Sequence, residues 1–162
     1  MRKLIFMTLF LTNIVFAANI SEIVNKVQLS SYYQARDGKA QILMKVYPQG
    51  GGKPIKKLFY MLRLDITDGG EQMFFTYFVK PTDIKRTTFL VHKKINGDDY
   101  RRLYIPATDK ILAIAGSRKQ DPFMGSDFSY EDVSGRHSSK DTHKLLGEEK
   151  FNGKDVYITE ST

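Results

Sequence analysis

Turn chemistry sets the tightest limit on how this chain folds. Gly50-Gly51-Gly52, Asp68-Gly69-Gly70, Pro81-Thr82-Asp83, Asn96-Gly97 and Asn152-Gly153 cut the sequence beyond Gly38 into short segments whose apolar side chains recur with a period of two. The Asn-Gly pairs are strong hairpin signals, because both residues tolerate a positive φ. Strands are expected over 39–47, 55–66, 72–79, 84–92, 100–105, 110–115, 143–149 and 155–160, joined as an antiparallel meander. Ahead of them, Asn19 followed by Glu22 reads as a capping box, the asparagine accepting from first-turn amides and the glutamate reaching back. Ile20, Ile23, Val24 and Val27 then fall at helical spacing, which predicts one amphipathic helix over 20–33. The expected class is mainly β with an N-terminal helix (α+β), without an internal repeat or a linker that would make two domains.

The middle strands carry apolar residues on both faces. Met73, Phe75, Tyr77 and Val79 share one face of their strand, while Phe74 and Phe78 share the other; Leu58, Tyr60, Leu62 and Leu64 likewise oppose Phe59 and Met61. An antiparallel sheet with one face in water alternates apolar and polar residues, so both faces here call for cover. The N-terminal helix and sheet curvature can cover one. The other is a core, a partner surface or a ligand cavity, and an ordinary sandwich or closed barrel interior would satisfy the same pattern. Methionine suits walls that adapt to varied shapes.

The first residues read as an address. Arg2 and Lys3 precede an apolar run from Leu4 to Phe16, and Val15-Phe16-Ala17 supplies the small residues of a cleavage site. This is the pattern of a secretory signal peptide over residues 1–17, cut after Ala17, and the run is short for a spanning helix, which needs about 20 residues. The chain has no cysteine. That excludes disulfides, thiolate metal sites, a cysteine nucleophile and a lipid anchor on cysteine, and predicts an exported protein free in its compartment. The 25 Lys+Arg against 18 Asp+Glu leave only a mild excess once Arg2 and Lys3 are removed, and the basic residues are spread among acids. Nucleic-acid binders cluster such charge on one face, so no nucleic-acid partner is expected.

The most distinctive stretch runs from Thr87 to Arg136. It holds Thr88-Phe89-Leu90-Val91, Leu103-Tyr104-Ile105-Pro106-Ala107 and Ile114-Ala115-Gly116-Ser117-Arg118, and closes with Phe123-Met124-Gly125-Ser126-Asp127-Phe128-Ser129-Tyr130-Glu131-Asp132. This order resembles the LolA-like outer-membrane lipoprotein-sorting proteins of diderm bacteria, from the N-terminal helix to the last residue. The resemblance implies a curved antiparallel sheet, an open half-barrel whose apolar concave face is lidded by helices and holds acyl chains. It further implies a periplasmic location, the 18–162 segment as the sorting domain, lipoprotein acyl chains or another lipid as cargo, and an inner-membrane transporter and outer-membrane acceptor as partners. Family members continue past the position of Thr162, so a truncated half-barrel with an unpaired edge is expected. Arg86-Thr87-Thr88 stands where a glycine-containing segment belongs.

A carrier needs no nucleophile. Burying an acyl chain is worth about 0.8 kcal/mol per methylene, so long chains leave a bilayer only into an apolar cavity that replaces what they lose. Phe59, Met61, Phe75, Tyr77, Phe89 and Val91 share the two-residue parity that could line one wall, and helix 20–33 is a lid or a plain core helix. The motif residues Arg118, Met124, Gly125, Ser126, Asp127, Phe128, Tyr130, Glu131 and Asp132 read as structural: Ser126 or Asp127 caps a turn, Phe128 and Tyr130 plug a cavity end, and Arg118 or Arg136 pairs with a carboxylate. The carboxylates lack calcium-loop spacing, His92, His137 and His143 lack metal-motif spacing, and no Gly-x-Ser-x-Gly elbow is present. The expectation is a carrier with no enzymatic activity and no cofactor. The alternatives are an accessory of an RND-type exporter with other hydrophobic cargo, an exported hydrolase using Asp127–Asp132, or a purely structural sheet protein.

Overall fold

The computed structural model describes residues 19–162; the expected signal peptide and its cleavage point lie outside the described residues. One helix, α1 (Ile20–Tyr32), precedes six strands, β1 (Asp37–Val46), β2 (Ile55–Asp65), β3 (Gln72–Lys80), β4 (Thr88–Lys93), β5 (Tyr100–Ile105) and β6 (Lys110–Ala113). They pair antiparallel in chain order as one open sheet that does not close into a barrel. A long segment of short 3-10 turns follows. The hairpin β7 (His143–Phe151) and β8 (Lys154–Ser161) then forms a separate two-stranded sheet.

Local chemistry accounts for most boundaries. The Asn19 side chain accepts from the Ser21 amide at 3.0 Å, as a helix cap should. Glu22 does not reach back to complete a capping box; it pairs with Lys26 at 2.6 Å, one turn on. Asn152 and Gly153 both take positive φ, 51° and 78°, and close the β7–β8 hairpin. The β4–β5 connection holds only Gly97 of its Asn-Gly pair in that region, because Asp99 turns back to accept from the Lys94 amide at 2.9 Å and widens the loop. Strand β4 begins at Thr88, later than the sequence pattern suggests. A 3-10 turn over Thr82–Ile84 takes up the preceding residues, and Arg86 adopts φ 67°. That is the conformation glycine adopts without cost, at the place where a glycine was expected.

The two faces of the sheet differ in cover. Phe59 lies opposite Phe78, Thr76 opposite Phe89, and Phe89 opposite Leu103. These residues form an inner face buried beneath the segment that follows β6. Ile114, Phe123 and Tyr130 of that segment join Met44, Phe59, Phe74, Phe78, Phe89, Val91 and Leu103 in the core. Their rings form a continuous stack: Phe59–Phe78 at 4.9 Å, Phe78–Phe123 at 5.9 Å, Phe89–Phe123 at 5.5 Å and Phe89–Tyr130 at 5.2 Å between centroids. Such tilted pairs add stability beyond the area they bury.

The cover over the inner face is therefore the 114–136 segment. Helix α1 sits to one end, where it packs on β7 and on the turn over Ser138–Lys140. Its buried Gln28 accepts from the Ser138 amide at 3.0 Å. At its C-terminal end the Tyr33 hydroxyl donates to the Gly70 carbonyl at 2.6 Å, and the Tyr32 carbonyl accepts from Gln72 at 2.9 Å.

Candidate functional site

A cavity of about 530 Å³ opens between the sheet and this cover. Strands β1 and β2 supply one wall through Ile42, Met44, Phe59 and Met61, and the covering segment supplies the other through Phe123, Phe128 and Val133. Lys45 and Asp132 stand at its margin. Toward the C-terminal end of β1 a second hollow of about 260 Å³ lies beside it, between Val46, Tyr47 and Ser126–Phe128, with Met44, Lys45 and Phe128 lining both. The volume is in the range of small-molecule sites, about 300–1,000 Å³, and the lining is mostly hydrocarbon. Phe128 is 61% exposed, a large ring on the rim with little to hold it.

The cover is held by polar contacts specific to the distinctive motif. Met124 and Gly125 take positive φ, 52° and 70°, and reverse the chain over the sheet. The Met124 carbonyl accepts from Lys57 Nζ of β2. Ser126 Oγ donates to the Phe123 carbonyl at 2.8 Å, and the Phe123 amide donates to the Phe128 carbonyl at 2.6 Å. The Ser129 amide and hydroxyl both donate to Asp132 Oδ2, at 2.7 and 2.9 Å. Buried Glu131 accepts from Lys119 at 2.9 Å and Gln120 at 2.6 Å, with Arg136 at 3.7 Å. Burial pushes the Glu131 carboxyl up, but the Lys119 hydrogen bond and the charges of Lys119, Arg136 and Arg101 more than offset it, so it lies below the usual carboxylate range. Arg118 pairs with Asp121 at 2.7 Å and Arg136 with Asp141 at 2.5 Å. Asp127 is exposed.

Beyond the apolar wall the inner face turns polar. Gln72, Thr76, Lys93 and Arg101 are buried there; Arg101 pairs with Asp99, and Lys93 donates to the Ser134 carbonyl at 3.2 Å and stands 5.1 Å over the Tyr32 ring. Burial lowers the Lys93 pKa, with Asp99 opposing and Lys140 reinforcing that direction. Among the described residues no group of three His, Cys, Asp or Glu is placed to hold a metal ion. His92 meets Glu71 at 2.9 Å, His143 meets Ser161 and Ser138, and His137 meets Ser139. No helix among the described residues is long and apolar enough to cross a membrane.

The six residues read as one wall divide between the two faces. Phe59 and Met61 line the cavity. Phe89 and Val91 are on the same face, fully buried behind it in the core. Phe75 and Tyr77 are on the outer face, opposite Leu62 and Tyr60. The cause is register: beyond the irregularity at Leu58/Phe59, the β2–β3 and β3–β4 pairings each set odd-numbered residues opposite even ones, so parity inverts on β3, which turns Phe75 and Tyr77 outward, and is restored on β4. Sequence reasoning passed over Ile42, Met44 and Val133. The first two sit at alternate positions of β1, a signal present in the sequence, whereas Val133 lies in an irregular segment where periodicity says nothing.

Comparisons with known proteins agree with this architecture. The model of a family described as uncharacterized-protein-like matches residues 70–162, more than half of the chain. A Vibrio parahaemolyticus structure, provisionally described as an outer membrane lipoprotein-sorting protein domain, superposes with a TM-score of 0.76 at 30% identity over 88% of this chain. A DUF1329 family protein from Desulfovibrio piger superposes with a TM-score of 0.75 at 26% identity over 90%. The chain spans 60% and 62% of the length of those two structures. No match is found among curated proteins.

Proposed function

Since the chain belongs to the family whose model spans residues 70–162 and has the LolA-like fold of the Vibrio sorting domain, we propose that it is a carrier of acyl chains. It shelters lipoprotein acyl chains, or those of another lipid, in the cavity between β1, β2 and the 114–136 cover, within the periplasm and on the way to the outer membrane. An inner-membrane donor and an outer-membrane acceptor are the partners such a route requires. The observation that carries this reading is the hydrocarbon-lined space beneath an anchored cover. Each methylene moved from water into it is worth about 0.8 kcal/mol, enough for a chain to occupy the site without covalent chemistry. Phe59 and Met61 form the floor, Val133 and Phe123 the roof, and Phe128 the movable rim.

The motif carboxylates support the same reading. Glu131 and Asp132 are engaged with Lys119, Gln120 and Ser129, so they hold the cover in shape and do no acid–base work. Replacing Glu131 or Asp132 with the amide loosens the cover and removes no turnover. Titration of the purified chain with a fluorescent fatty-acyl probe tests the proposal: binding is saturable, is displaced by unlabelled fatty acid and weakens in Met61→Asp.

A further inference from the structure

The two ends of the six-stranded sheet differ in charge. At one end, where α1 stops and the β2–β3 and β4–β5 connections turn, acids and bases are matched: Arg63 with Asp65, His92 and Lys94 with Glu71, Arg101 with Asp99. At the other end lie the β1–β2, β3–β4 and β5–β6 connections. Lys53 and Lys56 stand at the start of β2, Lys80 at the end of β3, Lys85 and Arg86 in the turn to β4, and Lys110 at the start of β6. The registers Lys45↔Lys56, Leu58↔Lys80 and Ile105↔Lys110 place them along one edge of the molecule.

All six of these side chains are exposed, and among the described residues none is in an ion pair. The acids at this end are Asp83 and Asp109, with Asp127 across the rim; Asp109 already accepts from the Tyr104 hydroxyl at 3.0 Å. Uncompensated charge of one sign on a limited surface creates a field that a matching surface relieves. The hollow beside the cavity, between Val46, Tyr47 and Phe128, lies at this same end.

We propose that the basic end of the sheet docks on the surface of an anionic lipid bilayer, with the mouth of the cavity turned toward it. Unpaired lysines and arginines are drawn to anionic headgroups within a Debye length of the surface. Exposed Tyr47 and Phe128 beside them supply the aromatic side chains that settle at the level of the headgroups. Docking goes beyond the carrier reading, since it requires only charge and not cargo.

The test is sedimentation of residues 18–162 with vesicles of phosphatidylethanolamine and phosphatidylglycerol, against vesicles of phosphatidylcholine alone. Binding is expected to the anionic vesicles only and to fall with added salt. A variant with Lys53, Lys56, Lys80, Lys85, Arg86 and Lys110 changed to Gln loses at least about tenfold in affinity. A second variant with six exposed bases changed to Gln elsewhere (Lys26, Arg36, Lys39, Lys144, Lys150 and Lys154) has the same net charge and stays within about twofold of the parent. Equal losses in the two variants would reduce the effect to bulk charge and overturn the proposal, as would equal binding to both kinds of vesicle. Circular dichroism of both variants confirms that the exposed substitutions leave the fold intact. Acyl-probe uptake, measured in parallel, separates the two readings: vesicle docking without uptake supports this surface and sinks the carrier, and uptake without docking does the reverse.

Discussion

Lys57 reaches from β2 to donate its Nζ–H to the backbone carbonyl of Met124, fastening the covering segment across the sheet. Met124 itself is in the left-handed region at φ 52°, so the carbonyl is aimed by an uncommon backbone conformation. Lys57→Met leaves that carbonyl without its donor while keeping the side-chain length. The expected cost is about 1–2 kcal/mol, read by thermal unfolding, together with faster amide exchange over residues 123–130. Unchanged exchange there would show that the Lys57 bond does not hold the cover.

Gly135 closes the cover at φ 68° with the Tyr32 ring directly above; a Cβ there would lie 2.8 Å from two ring carbons. Gly135→Ala therefore meets both backbone strain and a clash. A loss of about 1–3 kcal/mol is expected, measurable by denaturant unfolding. A variant as stable as the parent would mean that the α1 end moves aside freely.

Arg86 works in the opposite sense. It holds φ 67° with a full side chain, and its amide donates to the Phe78 carbonyl at 2.8 Å. Arg86→Gly removes the steric penalty and adds some freedom to the unfolded chain, so a net gain of up to about 1 kcal/mol is expected. A lower melting temperature would contradict this.

Glu131 gives the cover a pH dependence. Its folded pKa lies below the ordinary value of 4.5, so the folded state prefers the ionised form. The stabilisation is complete above the ordinary value and is lost as pH falls through the depressed folded one. Glu131→Gln is expected to be less stable by about 2 kcal/mol at neutral pH, with the gap to the parent narrowing below pH 4.5. A gap that stays constant into acid would remove Glu131 from the titration.

Much of this fold is legible in the residues because turn chemistry and period-two patterning agree. Asn152-Gly153 marks its hairpin, Tyr100–Ile105 begins and ends as the alternation says, and Asn19 caps the helix. What is not legible is what long-range pairing decides. Whether Phe75 joins Phe59 depends on the number of residues in the turn between β2 and β3, and the observed register puts them on opposite faces. The covering role of 114–136 is equally hidden, since Phe123 and Tyr130 show no periodicity and find the sheet only through tertiary packing. Of the two aromatic residues expected to plug a cavity end, Tyr130 is buried in the core and Phe128 is exposed on the rim.

That rim position makes Phe128 separable from stability. Phe128→Ser removes a ring that is mostly in water, so the melting temperature changes little, while an acyl probe loses one wall of its entrance and several-fold in affinity. Met61→Asp puts a carboxylate into the floor and is expected to weaken probe binding further still. Equal affinity in all three proteins would place the probe elsewhere.

The most direct measurement is mass analysis of what the mature chain carries when purified from a diderm host without added detergent. A carrier yields acyl-bearing lipid or lipoprotein in stoichiometric amount, and Met61→Asp purified in parallel yields little. Empty protein that also refuses a saturable acyl probe after delipidation would contradict a hydrocarbon-sheltering role for the space beneath the 114–136 cover.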